Sequence, residues 1–345
     1  MKAKNMTLDR ENKRSQPLVA VIVLIAGVIA LLFSIGFSIT VGAADIDLET
    51  VWQAIFFYNN DLTNHQIIHE LRFPRVLGAA LVGAGFSVAG SIMQGMTRNP
   101  LGDPGILGLN AGATFMLAVS FAFIPGLSYI YIVLFSFVGA GIGAGLVYGI
   151  GSLAKGGLTP MRLVLAGAAV TALLTALSEG IAIYFHIGQD LAYWTAGGVS
   201  GTDWFNLKIL APWMFVGFIG SILLSKSITL LSLGDNVAVG LGQRTGVIKF
   251  FGAVIVLILA GASVSVVGAV GFVGLIVPHI TRYLVGYDYR WIIPNAIVLG
   301  ALLVVLSDLA ARNVNPPQET PIGALIALIG VPFFLYLARK GGKEL

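Results

Sequence analysis

The sequence predicts an all-α, polytopic integral membrane protein, and three observations carry that prediction. Apolar residues make up 57% of the chain and charged residues only 10%, with a mean hydropathy of +0.91. An ordinary globular domain is about 25% charged. Apolar runs close to the roughly 20 residues that a helix needs to cross hydrocarbon recur along the whole length. Lys and Arg gather in alternate connections between those runs. Lipid offers no hydrogen-bond partners, so only helices or a closed barrel can span it, and runs this long exclude barrel strands.

Ten spans follow in order, at about 18–41, 75–96, 105–124, 129–153, 161–186, 207–229, 247–269, 272–286, 292–311 and 322–339. They make one transmembrane domain over 18–340, between short tails at 1–17 and 341–345. The first run is too long, and too well followed by others, for a cleaved leader, so a retained helix is expected. Ahead of the second run, His65, His69 and Glu70 suggest a metal site, since histidines at i and i+4 share a helix face. No helix is expected there and no further ligand is near, so metal binding is not expected. Pro104 and Pro125 crowd the third run. The fourth carries Gly139, Gly141, Gly143, Gly145 and Gly149 in overlapping G-x-x-x-G spacings, which allow close helix approach. Trp194 and Trp204 are expected at the membrane interface, where amphipathic rings settle. Asn99-Pro-Leu-Gly-Asp-Pro104 and Pro278-His279 are expected to break helices, and both follow Gly-rich segments. That pattern hints that spans two to five and seven to ten are related halves.

Between the sixth and seventh runs lies a polar island, Ser232 to Gly246. Within it Leu233, Val237 and Leu241 recur every fourth residue, so a short helix here carries one apolar stripe. Asp235 can cap that helix through its carboxylate, and Gly240, Gly242 and Gly246 end it quickly. A solvated linker needs no stripe. A segment docked in another protein's groove does, and Ala238 and Gly240 are small enough for a close-packed joint. A helix lying on the bilayer surface would favour a more basic polar face than Asp235, Asn236, Gln243 and Arg244 supply.

Charge sets the orientation. With both termini cytosolic, sixteen of the twenty Lys and Arg residues fall inside, and only Arg72, Arg75, Lys208 and Arg312 remain outside. The positive-inside rule is then obeyed throughout, with an even number of spans. The net charge of +4 therefore speaks to topology and gives no reason to invoke nucleic acid. There is no cysteine, hence neither disulfide nor thiolate chemistry. No P-loop, H-E-x-x-H, G-x-S-x-G or Cys/His cluster occurs, so ATP binding by a P-loop and the hydrolase and metalloprotease chemistries are not expected. Intramembrane ionisable groups mark ion pathways. Here they reduce to Glu179, Asp308 and His186, fewer than a proton-coupled carrier shows, and Glu179 and Asp308 are open to a structural or a transport role.

Six stretches in order complete the reading: Leu71-Arg-Phe-Pro-Arg75, Gln94 to Gly108, the island, Gly271 to Arg282, Asp308-Leu-Ala-Ala-Arg312, and Pro321-Ile-Gly-Ala. Together they resemble the FecCD-type permease family, membrane subunits of ABC importers for ferric siderophores, haem and cobalamin. One local departure is Gly271 following Ala-Val, where the family often has Gly-Pro-Ile-Gly. The resemblance implies a type II ABC importer permease of ten helices, paired with a second permease copy or paralogue. Two cytosolic ATPases bind below, and an extracytoplasmic siderophore-binding protein docks above. It also implies a bacterial cytoplasmic membrane.

By the family pattern the island is the coupling segment, with Leu233, Gly234, Asp235, Val237, Ala238, Leu241 and Gly242 contacting the ATPase. Arg72, Arg75 and Arg312 would pair with acidic residues of the binding protein; alternatively each anchors a helix end or bridges within its own subunit, as Arg72 could with Glu70. Gly157, Leu158 and Thr159 would form a cytosolic gate, and Glu179 would face the pathway. On this resemblance the chain is expected to bind no cofactor and to be no enzyme, with ATP and magnesium on the partner ATPase. A ferric siderophore leads as cargo over haem or cobalamin. The rival from another class is an ion-coupled secondary transporter, which would have no use for the island.

Overall fold

Backbone amides in lipid can be satisfied only by their own chain, and every regular element among the described residues is helical. The structure, a computed structural model, describes residues 16–42, 46–153, 160–315 and 318–341. In chain order the elements are α1 (Pro17–Thr40), α2 (Leu48–Phe56), α3 (Thr63–Thr97), α4 (Leu109–Phe123), α5 (Tyr129–Leu153), α6 (Pro160–Tyr184) and α7 (Gly188–Ala196). They continue with α8 (Trp204–Ser232), α9 (Asp235–Gly240), α10 (Thr245–Val267), α11 (Val273–Val285), α12 (Tyr289–Val314) and α13 (Ile322–Gly341). Seven of these, α1, α3, α5, α6, α8, α10 and α12, are long and apolar enough to cross a membrane. The apolar helices α4, α11 and α13 are shorter. Each apolar run read from the sequence coincides with one of these ten.

The centre of the bundle is α3, which packs against α8, α10, α11 and α12, while α1 lies outside α12. Helices α4, α5 and α6 form a second group, packed on one another. Glycine sets the closest approaches. A methyl group at Gly83 would collide with the Gly300 carbonyl, and one at Gly90 with the Gly274 carbonyl. Of the five glycines that make those spacings on α5, Gly139 and Gly143 make such contacts, against the backbone of Gly112 and Gly108. A methyl group at Gly145 would meet nothing at that range.

Two expectations need correction. The second span was expected to begin at residue 75, but α3 begins at Thr63, so His65 and His69 are helical after all. A π-helical turn, Ile67–Arg72, precedes Pro74. Such a widened turn accommodates the ring and the missing amide of a proline inside a continuous helix. His65 is buried and its Nδ1 accepts the Asn59 amide at 3.1 Å, while His69 packs on the rings of Tyr58 and Trp204. Nor does Pro278 break its helix, for it lies inside α11. The carbonyl that proline leaves free four residues earlier belongs to Gly274, and it accepts Gln94 Nε2 from α3 at 3.0 Å. The break falls earlier, between Gly268 and Phe272, both at positive φ. The first break is where it was expected: α3 ends at Thr97, and Asp103 caps a 3₁₀ turn, Pro104–Leu107, by accepting the Gly105 amide at 2.7 Å.

Candidate functional site

Two sets of polar residues were singled out from the sequence, and α3 places them at opposite ends of the bundle. A helix of 35 residues is about 50 Å long. Arg72 and Arg75 lie near its start, and Arg98 follows its last residue.

At the first end the three arginines are all engaged within the chain. Arg72 is buried and donates from Nη1 to the carbonyls of Ile39 (2.6 Å) and Thr40 (3.0 Å) at the end of α1. Arg75 forks between two carboxylates, donating to Asp308 at 2.8 Å and to Glu319 at 2.6 Å. Arg312 reaches Asp308 at 3.2 Å, the carbonyls of Ser38 and Val41, and the Ser38 hydroxyl. The Asp308 side chain is 1% exposed and pairs with Arg75 of α3 and with Arg312 of its own helix, which in turn bonds Ser38 of α1. Glu319 is different, with 45% of its side chain exposed. It edges a cavity of about 360 Å³ lined also by Arg75, Tyr129, Trp194, Gly197 and Ser200. Chemically, the cluster presents one guanidinium whose outer pairing can be exchanged for another carboxylate. Trp194 stacks on Tyr129, and Trp204 packs on Phe73 and donates from its indole N–H to the His69 carbonyl.

At the second end, α9 is the short helix expected in the island, but its cap differs. The N-cap is Gly234 at φ 129°, and Asp235 is the first helical residue. Its carboxylate turns away from the backbone to Lys249 Nζ at 2.9 Å and Arg98 Nη2 at 3.6 Å. Asp235 therefore joins α9 to α10 and to the end of α3. Gln243 Nε2 donates to the Ser227 carbonyl at 3.0 Å, and Gly242 turns the chain at φ +81°. Ala238 is wholly buried against its own chain, so it leaves the set able to meet a partner. The stripe points outward, with Leu233 63%, Val237 47% and Leu241 63% exposed. Nearby, burial pushes the Asp288 carboxyl up, but hydrogen bonds from Arg290 and Thr229 outweigh it and hold the group below the usual carboxylate range. In the turn after α3, burial pushes Asp103 up, opposed by the Gly105 amide.

Glu179 lies exposed on α6 rather than packed in the bundle. Gly157, Leu158 and Thr159 lie outside the described residues. Sequence reasoning missed Glu319, Ser38, Lys249 and the pairing of Arg98, because each meets its partner only through the fold. Among the described residues no three His, Cys, Asp or Glu side chains come together as a metal site.

The description "FecCD transport family" matches residues 18–340. The iron(3+)-hydroxamate import system permease protein FhuB of Bacillus subtilis is 56% identical over 326 residues, covering 94% of this chain and 85% of that protein. The iron-uptake system permease protein FeuB of the same organism is 41% identical, covering 94% and 97%. Among solved structures, an inward-facing metal-chelate type ABC transporter superposes with a TM-score of 0.80 at 27% identity, over 92% of this chain and 98% of that one. A helical bundle with this motif order, matched by that family over almost its whole length, belongs to the FecCD transport family.

Proposed function

We propose that this chain is the permease of an ABC importer that carries a ferric siderophore, of the hydroxamate class first, across a bacterial cytoplasmic membrane. The observation that carries the proposal is the exposed stripe Leu233, Val237 and Leu241, held at a fixed attitude by the Asp235 ion pairs. Its setting is a chain 56% identical to an iron(3+)-hydroxamate permease. An apolar stripe of small area on a short, braced helix suits the groove of a cytosolic ATPase, two copies of which would drive a permease dimer. All ten apolar helices then span the bilayer, and both termini are cytosolic. The siderophore-binding protein would dock at the other end, where one of its carboxylates replaces Glu319 on Arg75; Arg72 and Arg312 hold the helix ends that frame that site. Complementary charge of this kind sets docking register and encounter rate more than raw affinity.

In this mechanism ATP binding closes the two ATPases, displaces α9, and through Asp235 shifts α10 and the end of α3. The path opens along the axis between permeases, with α6 and Glu179 facing it and the segment 157–159 as its cytosolic gate. ATP and magnesium sit on the ATPase. The test is uptake of radioactive iron as a ferric hydroxamate, as ferric citrate and as haem, into vesicles holding the reconstituted complex. ATP-dependent uptake of the hydroxamate chelate, abolished by Leu241→Arg, is expected. Uptake that needs an ion gradient and no ATP would contradict the proposal.

A further inference from the structure

We infer that α2 is a membrane-interface helix, seated with its outer apolar face in the headgroup region of the leaflet at the Arg75 end of the bundle. The helix has three sides. Val51 and Ala54 are buried against the protein, where α2 packs on α1 and on the start of α3. Asp47, Glu49 and Gln53 form a polar side, with Asp47 capping the Thr50 amide at 3.1 Å and Gln53 bonded to Glu49 at 3.2 Å. Between these lie Leu48 (69% exposed), Trp52 (61%), Ile55 (44%) and Phe56 (59%), with the Trp52 and Phe56 rings 4.3 Å apart. Four large apolar side chains on a single nine-residue helix are far more than a solvated loop retains.

What covers that face follows from α1. Its 24 residues span about 36 Å, against a hydrocarbon core of about 30 Å, so its end at Thr40 sits at the boundary between lipid and water. The flank of α1 is itself an exposed apolar surface, with Ile25, Ile29, Leu32 and Phe33 more than half exposed. Arg72 grips the carbonyls of Ile39 and Thr40, so the chain leaving α1 is fixed at that level. α2 begins at Leu48, a few residues on, and cannot move far from the boundary. Its exposed face thus continues the lipid-facing flank of α1, while Glu49 and Gln53 face water. Trp and Phe at this depth are the usual occupants of the interfacial layer. The polar side is acidic, so the apolar area drives insertion and attraction to anionic headgroups does not.

The chain has no cysteine, so single cysteines can carry a nitroxide probe without further engineering. The full-length permease, complexed with its ATPase, is labelled at position 49, 52, 53, 55 or 56 and placed in vesicles of phosphatidylcholine, alone or mixed with phosphatidylglycerol. Collisions with oxygen, which concentrates in lipid, are compared with those of a water-soluble nickel chelate. Oxygen should dominate at 52, 55 and 56 and nickel at 49 and 53, with the ratio unchanged by the anionic lipid. Nickel dominance at all five would overturn the inference, by showing the face in water. So would probes at 52, 55 and 56 that neither reagent reaches, which would mean a protein partner or a second copy covers the face. Should a labelled variant fail to assemble, the unlabelled protein decides. Brominated lipid should quench its tryptophan emission more than that of Trp52→Phe, and equal quenching would count against insertion. None of these readouts depends on cargo, so a failed uptake assay and a failed insertion assay remain distinct.

Discussion

Asp308 neutralises two guanidinium groups with a side chain that is almost wholly out of solvent. Asp308→Asn would leave Arg75 and Arg312 in a buried site short of one charge, a change that costs about 3–5 kcal/mol when a buried pair loses a partner. Thermal unfolding of the detergent-purified protein should show that loss, while Glu319→Gln, at the exposed edge, should cost no more than about 1 kcal/mol. Asp235→Ala should change stability equally little, because Lys249 (38% exposed) and Arg98 (48%) remain solvated. Its effect should instead appear as weaker coupling: substrate-loaded binding protein would stimulate ATP hydrolysis less than in the wild type. Equal stimulation would remove Asp235 from the linkage. At this scale the sequence shows which residues are unusual and hides what they touch. The arginines stand out as rare cations on one side, yet Arg75 and Asp308 are 233 residues apart in the chain. Asp235 looks like a cap because pattern alone cannot separate the N-cap from the first helical residue; Gly234 takes the cap with a φ that only glycine adopts easily.

Among the elements, the long helices and the short helix of the island were legible, and the other short helices were not. Reading apolar runs along the sequence finds the ten apolar helices. It is blind to α2 and α7, nine residues each, whose apolar positions alternate with polar ones. It is also blind to the first three turns of α3, where His65, His69, Glu70 and Arg72 mask a helix that tertiary contacts stabilise. The glycine spacings on α5 were visible, but which of them meet a neighbour depends on the rotation of the helix. Gly90→Val should therefore disrupt the α3–α11 contact by about 3 kcal/mol or more, since backbone cannot yield as a side chain can. Gly145→Ala, with nothing within reach, should be neutral or stabilise α5 by up to about 1 kcal/mol through helix propensity. Size-exclusion profiles and melting temperatures would separate the two; similar behaviour would refute the packing assignment. The repeated order of long helix, break and short helix, in α3–α4 and again in α10–α11, is what related halves would produce, with breaks at Pro104 and at Gly268–Phe272.

In the proposed topology of the whole molecule the arginine cluster and α2 face outward, and α9 faces the cytosol. A cysteine at Asp61 should react with an impermeant thiol reagent in intact cells, and one at Gln243 only after the membrane is opened; the reverse pattern would invert the topology. The charge bias that predicts this lies in the sequence, whereas the partner proposed for α9 does not, because Leu233, Val237 and Leu241 are exposed in the chain alone. The most direct measurement is therefore co-purification from mild detergent of the tagged chain and of its Leu241→Arg variant. Leu241 is 63% exposed, so the variant should melt at the wild-type temperature. A P-loop ATPase retained by the wild type and lost from the equally stable variant is the predicted result. An ATPase bound equally to both, or to neither while uptake persists, would contradict the coupling role of α9.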